Sequence, residues 1–177
     1  MSTQPVSIAE FLTQAGGEGP PIGVLATRER TTQTSAQLIT QIPDTFEIRV
    51  VGGDTLGTKD QLYTEFARVW NFGPHFGRNA DAFDECMREL DDTAGEGQSS
   101  PAQGYLTVIT DAARILPGAE ATVDWFAESV DFYRDHYRDI AEPPATFAVI
   151  LITPAAERQQ VVTRWGRTGH APAEITR

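Results

Sequence analysis

HFGRNADAFDECMRELDD occupies residues 75–92 and carries six carboxylates, Asp81, Asp84, Glu85, Glu89, Asp91 and Asp92, against the two arginines Arg78 and Arg88. Its apolar residues Ala82, Phe83, Cys86, Met87 and Leu90 recur every three or four positions, which is the spacing of one helix face. Asn79, just ahead of the run, belongs to the residue types that cap a helix by accepting a backbone N–H bond. The stretch predicts a helix with an apolar inner face and an acidic outer face, entered from a loop that contains Gly77.

Four accounts compete for the acids. The plainest is a solvated face. Carboxylates in the first turns complement the helix dipole, and Arg78 and Arg88 are spaced to pair with Glu85 or Asp84. Against it, Asp81 and Glu85 stand at i and i+4, where like charges cost roughly 0.2–0.5 kcal/mol. A divalent cation needs several oxygens converging on one point, which a single straight helix does not supply, and the spacing DAFDE is not a DDxxD motif. Zinc on His75, Asp81 and Cys86 would draw on a loop, an outer face and an inner face.

Catalysis finds little support. Cys86 sits among Phe83, Met87 and Leu90, the setting of a small buried hydrophobe and not of an exposed thiolate. The paired carboxylates of a hydrolase face each other across a cleft, whereas Asp81 and Glu85 lie side by side. The glycines of VVGGDTLGTKD (50–60) form neither GxxxxGK[ST] nor GxGxxG. What remains is a surface offered to a basic partner. His75, Phe76 and Gly77 lead into the first acids, and a carboxylate desolvated against Arg or Lys makes a strong contact.

The rest of the chain reads as alternating strands and helices. IGVLAT (22–27), FEIRVVG (46–52), YLTVIT (105–110) and TFAVILIT (146–153) are strand candidates, the last buried on both faces because it does not alternate. In FEIRVVG, Phe46, Ile48 and Val50 should point inward. Helices are expected at 7–14, at 35–42, from a Thr58/Gln61 cap through Leu62, Phe66, Val69 and Trp70, and at about 119–140 with Val123, Phe126, Val130, Tyr133, Tyr137 and Ile140 inward. TAGEGQSSPAQG (93–104) is a loop by composition, AAERQQVVTRW (155–165) a short helix, and GRTGHAPAEITR (166–177) a frayed tail. Strands separated by helices imply a parallel sheet covered by helices.

Length allows one domain with a sizeable core, and the net charge of −11 disfavours direct nucleic-acid binding. The lone cysteine ties the chain to no oxidising compartment. The start lacks the pattern of a secretory signal, and the longest apolar run, FAVILI (147–152), is too short to span a bilayer. A cytoplasmic location without membrane contact is expected.

Taken in order, strand FEIRVVGG (46–53), helix TKDQLYTEFARVWNF (58–72), loop GPHFGRN (73–79) and helix ADAFDECMREL (80–90) resemble the barstar family of intracellular ribonuclease inhibitors. The segment HFGRNADAFDEC is similar to the family pattern Y-[YF]-G-x-N-x-D-A-[LF]-x-[DE]-C, with Gly77, Asn79, Asp81, Ala82, Glu85 and Cys86 on its defining positions. The resemblance implies a three-layer α/β fold with a small, mainly parallel sheet of three to four strands packed against helices. It divides the chain into an N-terminal extension (1–45), a barstar-like domain (46–153) and a C-terminal helix and tail (154–177).

It further implies a non-enzymatic inhibitor without cofactor or metal, binding a basic secreted-type ribonuclease or toxin nuclease one to one. Its loop and acidic helix would mimic RNA phosphates. The implied contact residues are His75, Phe76, Gly77, Arg78, Asn79, Asp81, Asp84 and Glu85, with Asp81 and Glu85 as the phosphate mimics. Asn79 reads better as a helix cap than as a contact. His75 stands where the family carries a tyrosine, Asp84 where it carries a tryptophan, and Glu85 where it more often carries aspartate. The alternative is a barstar-fold immunity or interaction module for a different toxin or protein partner, without ribonuclease inhibition.

Overall fold

The unbroken apolar run of the last long strand decides where the sheet has its centre. In the computed structural model, which describes residues 4–92 and 101–177, Thr146–Pro154 (β5) lies inside a six-stranded parallel sheet and is buried from Phe147 to Thr153. With Val6–Ser7 as β1, Ile22–Thr27 as β2, Phe46–Gly52 as β3, Gly104–Thr110 as β4 and Ala173–Thr176 as β6, the strand order is β1-β6-β2-β5-β4-β3. Every neighbouring pair is parallel, for example Val24 beside Leu151 and Val108 beside Ile150. Each connection between strands must therefore cross a face of the sheet, and helices supply the crossings.

One face carries Ile8–Ala15 (α1) and Thr31–Ile39 (α2), packed on Leu25, Leu106, Val108, Ile150 and Ile152. The other face carries Lys59–Val69 (α3), Glu120–Asp139 (α5) and Arg158–Gly166 (α6), with Ala80–Arg88 (α4) packed on α5. Its core is aromatic: Phe66, Phe83, Phe126, Tyr133, Tyr137, Phe147 and Trp165 are all fully buried. The Lys59 ammonium lies 4.1 Å from the centre of the half-buried Trp125 ring, a cation–π contact at the start of α3.

Several expectations are corrected. The sheet has six strands, not three to four. The additional ones are short: β1 has two residues and merges into the α1 cap, while β6 has four and follows a Gly- and Pro-containing stretch. The end of the expected frayed tail is thus a strand, with Ala173 and Ile175 buried against β2. Helix α2 begins four residues before the expected start at 35. Buried threonines satisfy their hydroxyls there, Thr31 donating to Asp111 at 2.8 Å and Thr34 to Thr27 at 2.7 Å.

Phe46, Ile48 and Val50 do share a face, but it is incompletely covered. Val50 is exposed, and Val51 on the opposite face is the fully buried residue. Ile140, expected inside, is 70% exposed at the α5 cap. The loop expected at 93–104 falls outside the described residues over 93–100. Gly53 is a position where glycine is required, since an added Cβ would lie 2.3 Å from the Asp111 carbonyl oxygen where the ends of β3 and β4 meet.

Candidate functional site

Two anchors bracket the loop before α4. At the end of α3, the buried Trp70 indole N–H donates to Thr107 Oγ1 at 3.1 Å, with the Arg49 guanidinium 4.9 Å from the ring centre. Arg49 Nε also donates to the Val69 carbonyl at 2.7 Å, so the helix end is fixed to the sheet. At the loop's far end, Asn79 caps α4 by accepting the Ala82 N–H at 2.9 Å. Between them, Asn71 (φ 55°) and Arg78 (φ 51°) adopt the left-handed conformation, at a cost of roughly 1–2 kcal/mol each.

Those two bends decide where the loop side chains go. Phe76 turns inward, edge-on to Tyr63 (5.9 Å between centroids) and to Phe72 (5.1 Å), and is half-buried. His75 and Gly77 are exposed. Arg78 reaches back to α3, donating to the Asp60 carboxylate at 2.7 Å and to the Thr64 hydroxyl at 2.9 Å. Arg88 donates from Nε to the backbone carbonyl of Asp84 at 3.2 Å, and its guanidinium lies 5.6 Å from the Phe132 ring centre.

The expected pairing of Arg78 and Arg88 with Glu85 or Asp84 is therefore corrected, because both guanidinium groups are held elsewhere. Asp81, Glu85 and Glu89 are exposed along the outer face of α4, and among the described residues no cation forms an ion pair with any of them. Asp81 lies in the first turn of α4, where the helix dipole stabilises it.

Helix α4 is fastened to α5 by three side chains. Tyr133 donates its hydroxyl to a carboxylate oxygen of Asp84. The Tyr137 hydroxyl donates to the Met87 carbonyl at 2.5 Å and accepts the Leu90 N–H at 3.0 Å, while His136 Nε2 lies 3.1 Å from the Arg88 carbonyl. Burial, reinforced by the Asp84 carboxylate, pushes the Tyr133 hydroxyl far above the ordinary phenol range, and burial does the same to Tyr137. Both therefore stay protonated as donors at neutral pH. The sequence pattern marks these tyrosines only as core. Their i, i+4 spacing signals burial, and the signal overlooked is that a buried phenol requires a hydrogen-bond partner.

Cys86 is half-buried. Burial raises its thiol pKa, and the charges of Glu89 and Glu85 raise it further, which disfavours the nucleophilic thiolate. Among the described residues no three His, Cys, Asp or Glu side chains are grouped to hold a metal ion, and no helix is long and apolar enough to cross a membrane. The eight residues singled out from the sequence thus divide by position. Asp81, Glu85, His75 and Gly77 are exposed on one edge, Asp84 is partly engaged by Tyr133, Asn79 is a cap, Phe76 packs inward and Arg78 faces α3.

Residues 46–152 match the family model described as Barstar (barnase inhibitor). The chain belongs to the barstar family. The matched span runs from the first residue of β3 into β5, so it includes α3, the loop, α4 and the α5 tyrosines. No curated protein matches this barstar-family chain. Among solved structures, a chain from the structure of Drosophila ORC bound to AT-rich DNA and Cdc6 is similar at 11% identity and a TM-score of 0.49, over 89% of this chain and 49% of that one. This chain thus spans about half the length of that one.

Proposed function

We propose that this barstar-family chain inhibits a basic secreted-type ribonuclease by placing the loop at 73–79 and the outer face of α4 in the enzyme's active site. The observation that carries the reading is that Asp81 and Glu85 are exposed and unpaired on a firmly mounted helix, while Arg78 is tied away from them to Asp60. A nuclease active site presents Arg, Lys and His to RNA phosphates, and two carboxylates one helical turn apart offer it comparable charge.

Their mutual repulsion is relieved when cations close over them. The mounting through Tyr133 and Tyr137 means that little order has to be gained on binding. His75 and Gly77 extend the contact from the loop, with Asp84 supporting through its remaining oxygen and Asn79 through the cap.

The test is titration of the protein into barnase and other small basic microbial ribonucleases while RNA cleavage is followed. Loss of activity at one equivalent is expected, and Glu85→Ala should weaken it. If no such enzyme is inhibited, and pull-down from the source cells recovers a partner that cleaves no RNA, the chain is instead an interaction module and the proposal fails.

A further inference from the structure

The acidic face of α4 is one wall of an open groove of about 750 Å3, and the opposite wall carries a single acid, Glu142. Seven of the eleven lining residues are Asp or Glu, drawn from α4, the residues just after it and Glu142, while α5, its cap and the residue after the cap contribute His136, Ile140 and Ala141. Phe132, His136 and Ile140 follow one another at i, i+4 and i+8, so they share one helix face. Phe132 is 49% exposed and Ile140 is 70% exposed, the two most exposed large hydrophobic side chains among the described residues.

Single exposed apolar residues are ordinary on protein surfaces. Here Ile140 lines a groove with a strong charge on its other side, and Phe132, on the same helix face two turns earlier, lies under the groove-lining Arg88, which stacks there in place of neutralising a carboxylate. That combination selects among occupants. Anionic ligands, nucleic acid and acidic lipid surfaces are repelled by the carboxylates. A bare polycation would match the charge and leave Phe132 and Ile140 in water. A surface bearing Arg or Lys on either side of an apolar side chain satisfies both walls, and an amphipathic helix laid in a groove presents that arrangement.

We infer that the α4–α5 groove continues the recognition surface of α4, sharing Asp81, Asp84 and Glu85 with it, and takes an apolar side chain flanked by basic residues on a cationic amphipathic segment of a protein partner. It extends the contact of the proposed inhibition from the loop and α4 onto α5, and it rests on that reading for the identity of the partner. Phe132 and Ile140 would then set which basic partners are accepted, while the carboxylates supply attraction common to all of them.

The experiment uses the full chain and two synthetic helical peptides of equal length and equal arginine content. One carries leucines at i and i+4 between the arginines; in the other those leucines are replaced by glutamine. Calorimetry is expected to show the leucine peptide binding at least about tenfold more tightly, as burial of apolar side chains predicts. Ile140→Ser, and the double variant with Phe132→Ser, should remove that advantage while both peptides still bind. Glu85→Ala and Glu89→Ala should weaken both peptides alike.

Ile140 is exposed at the helix cap, so Ile140→Ser should leave thermal unfolding unchanged and separate recognition from folding. Equal affinity for the two peptides, binding of neither, or an advantage that survives Ile140→Ser would overturn the inference. So would a dimer in sedimentation that Ile140→Ser dissolves, since the face would then join two copies of this chain. A leucine preference without inhibition of any ribonuclease removes the proposed partner and keeps the groove. Inhibition without the preference does the reverse.

Discussion

The Tyr133 hydroxyl donates to a carboxylate oxygen of Asp84, and this bond joins the middle of α5 to the helix that bears the exposed acids. The Tyr133 ring is fully buried against Phe147 (5.5 Å between centroids) and Phe83 (6.3 Å), so Tyr133→Phe keeps the packing and removes only the donor. Asp84 is half-buried, and water can replace part of what is lost. Tyr133→Phe is expected to lower stability by about 1–2 kcal/mol in urea unfolding, and Asp84→Ala by a similar amount. Because each removes the same bond, the double variant should lose less than the sum. Strictly additive losses would show that the bond contributes nothing.

The same packing makes the protein sensitive to alkali. Burial raises the hydroxyls of Tyr133, Tyr137 and Tyr105 above the ordinary value of 10.0, with Tyr105 pushed up to about 12 near Asp91, Glu47 and Asp92. Above that ordinary value the unfolded chain loses these protons while the folded chain keeps them, so stability falls as pH rises. The stabilisation is fully present below the unfolded value and is lost above it, by up to about 1.4 kcal/mol per pH unit for each tyrosine. Denaturant midpoints measured from about pH 9 to 11 should fall accordingly. Tyr133→Phe and Tyr137→Phe should each flatten that fall. A midpoint independent of pH in this range would contradict the burial argument.

How far the sequence discloses this architecture depends on the length of each signal. The apolar run at 146–153 is long and unbroken, so the central strand could be placed from sequence alone. Asn79 and Thr58 were legible as caps because capping is local chemistry, and each accepts the expected backbone N–H. β1 and β6 were not, since two and four residues carry no measurable alternation and are stabilised by partners distant in sequence. Ile140 illustrates the limit of periodicity: it continues the apolar spacing of α5, yet the helix ends at Asp139 and leaves it outside. The acids were legible as a group. Their division into the unpaired Asp81 and Glu85 and the tethered Asp84 required Tyr133, 49 residues further along the chain.

Gly77 offers a test of the binding edge that is free of folding effects. It is exposed and its φ is not positive; an added Cβ would meet Asn79 Nδ2 at 3.4 Å and Ala82 Cβ at 3.5 Å, ordinary contact distances. Nothing inside the molecule demands glycine there. Gly77→Ala should therefore leave the thermal midpoint unchanged or slightly raised, as restriction of the unfolded chain predicts. Affinity for an inhibited ribonuclease should nonetheless fall, and more so for a bulkier replacement, if the enzyme's surface closes on this backbone. Unaltered affinity in Gly77→Ala and Gly77→Gln would remove the loop from the interface.

Local charge and net charge can be separated at two exposed acids. Asp124 on α5 is exposed and, like Glu85, has no ion-pair partner among the described residues, yet it does not line the acidic groove. Glu85→Ala and Asp124→Ala each change the total charge by one. If only the field of the −11 chain steers a basic partner, both should slow association by the same small factor, and added salt should erase the difference from wild type. If Glu85 sits in the enzyme's phosphate site, Glu85→Ala should also speed dissociation. It should cost about 2 kcal/mol or more, roughly thirtyfold in affinity, with much of that loss persisting at high salt. Stopped-flow association and dissociation rates across a salt series distinguish the two. Indistinguishable behaviour of the two variants would place Glu85 among the solvated acids.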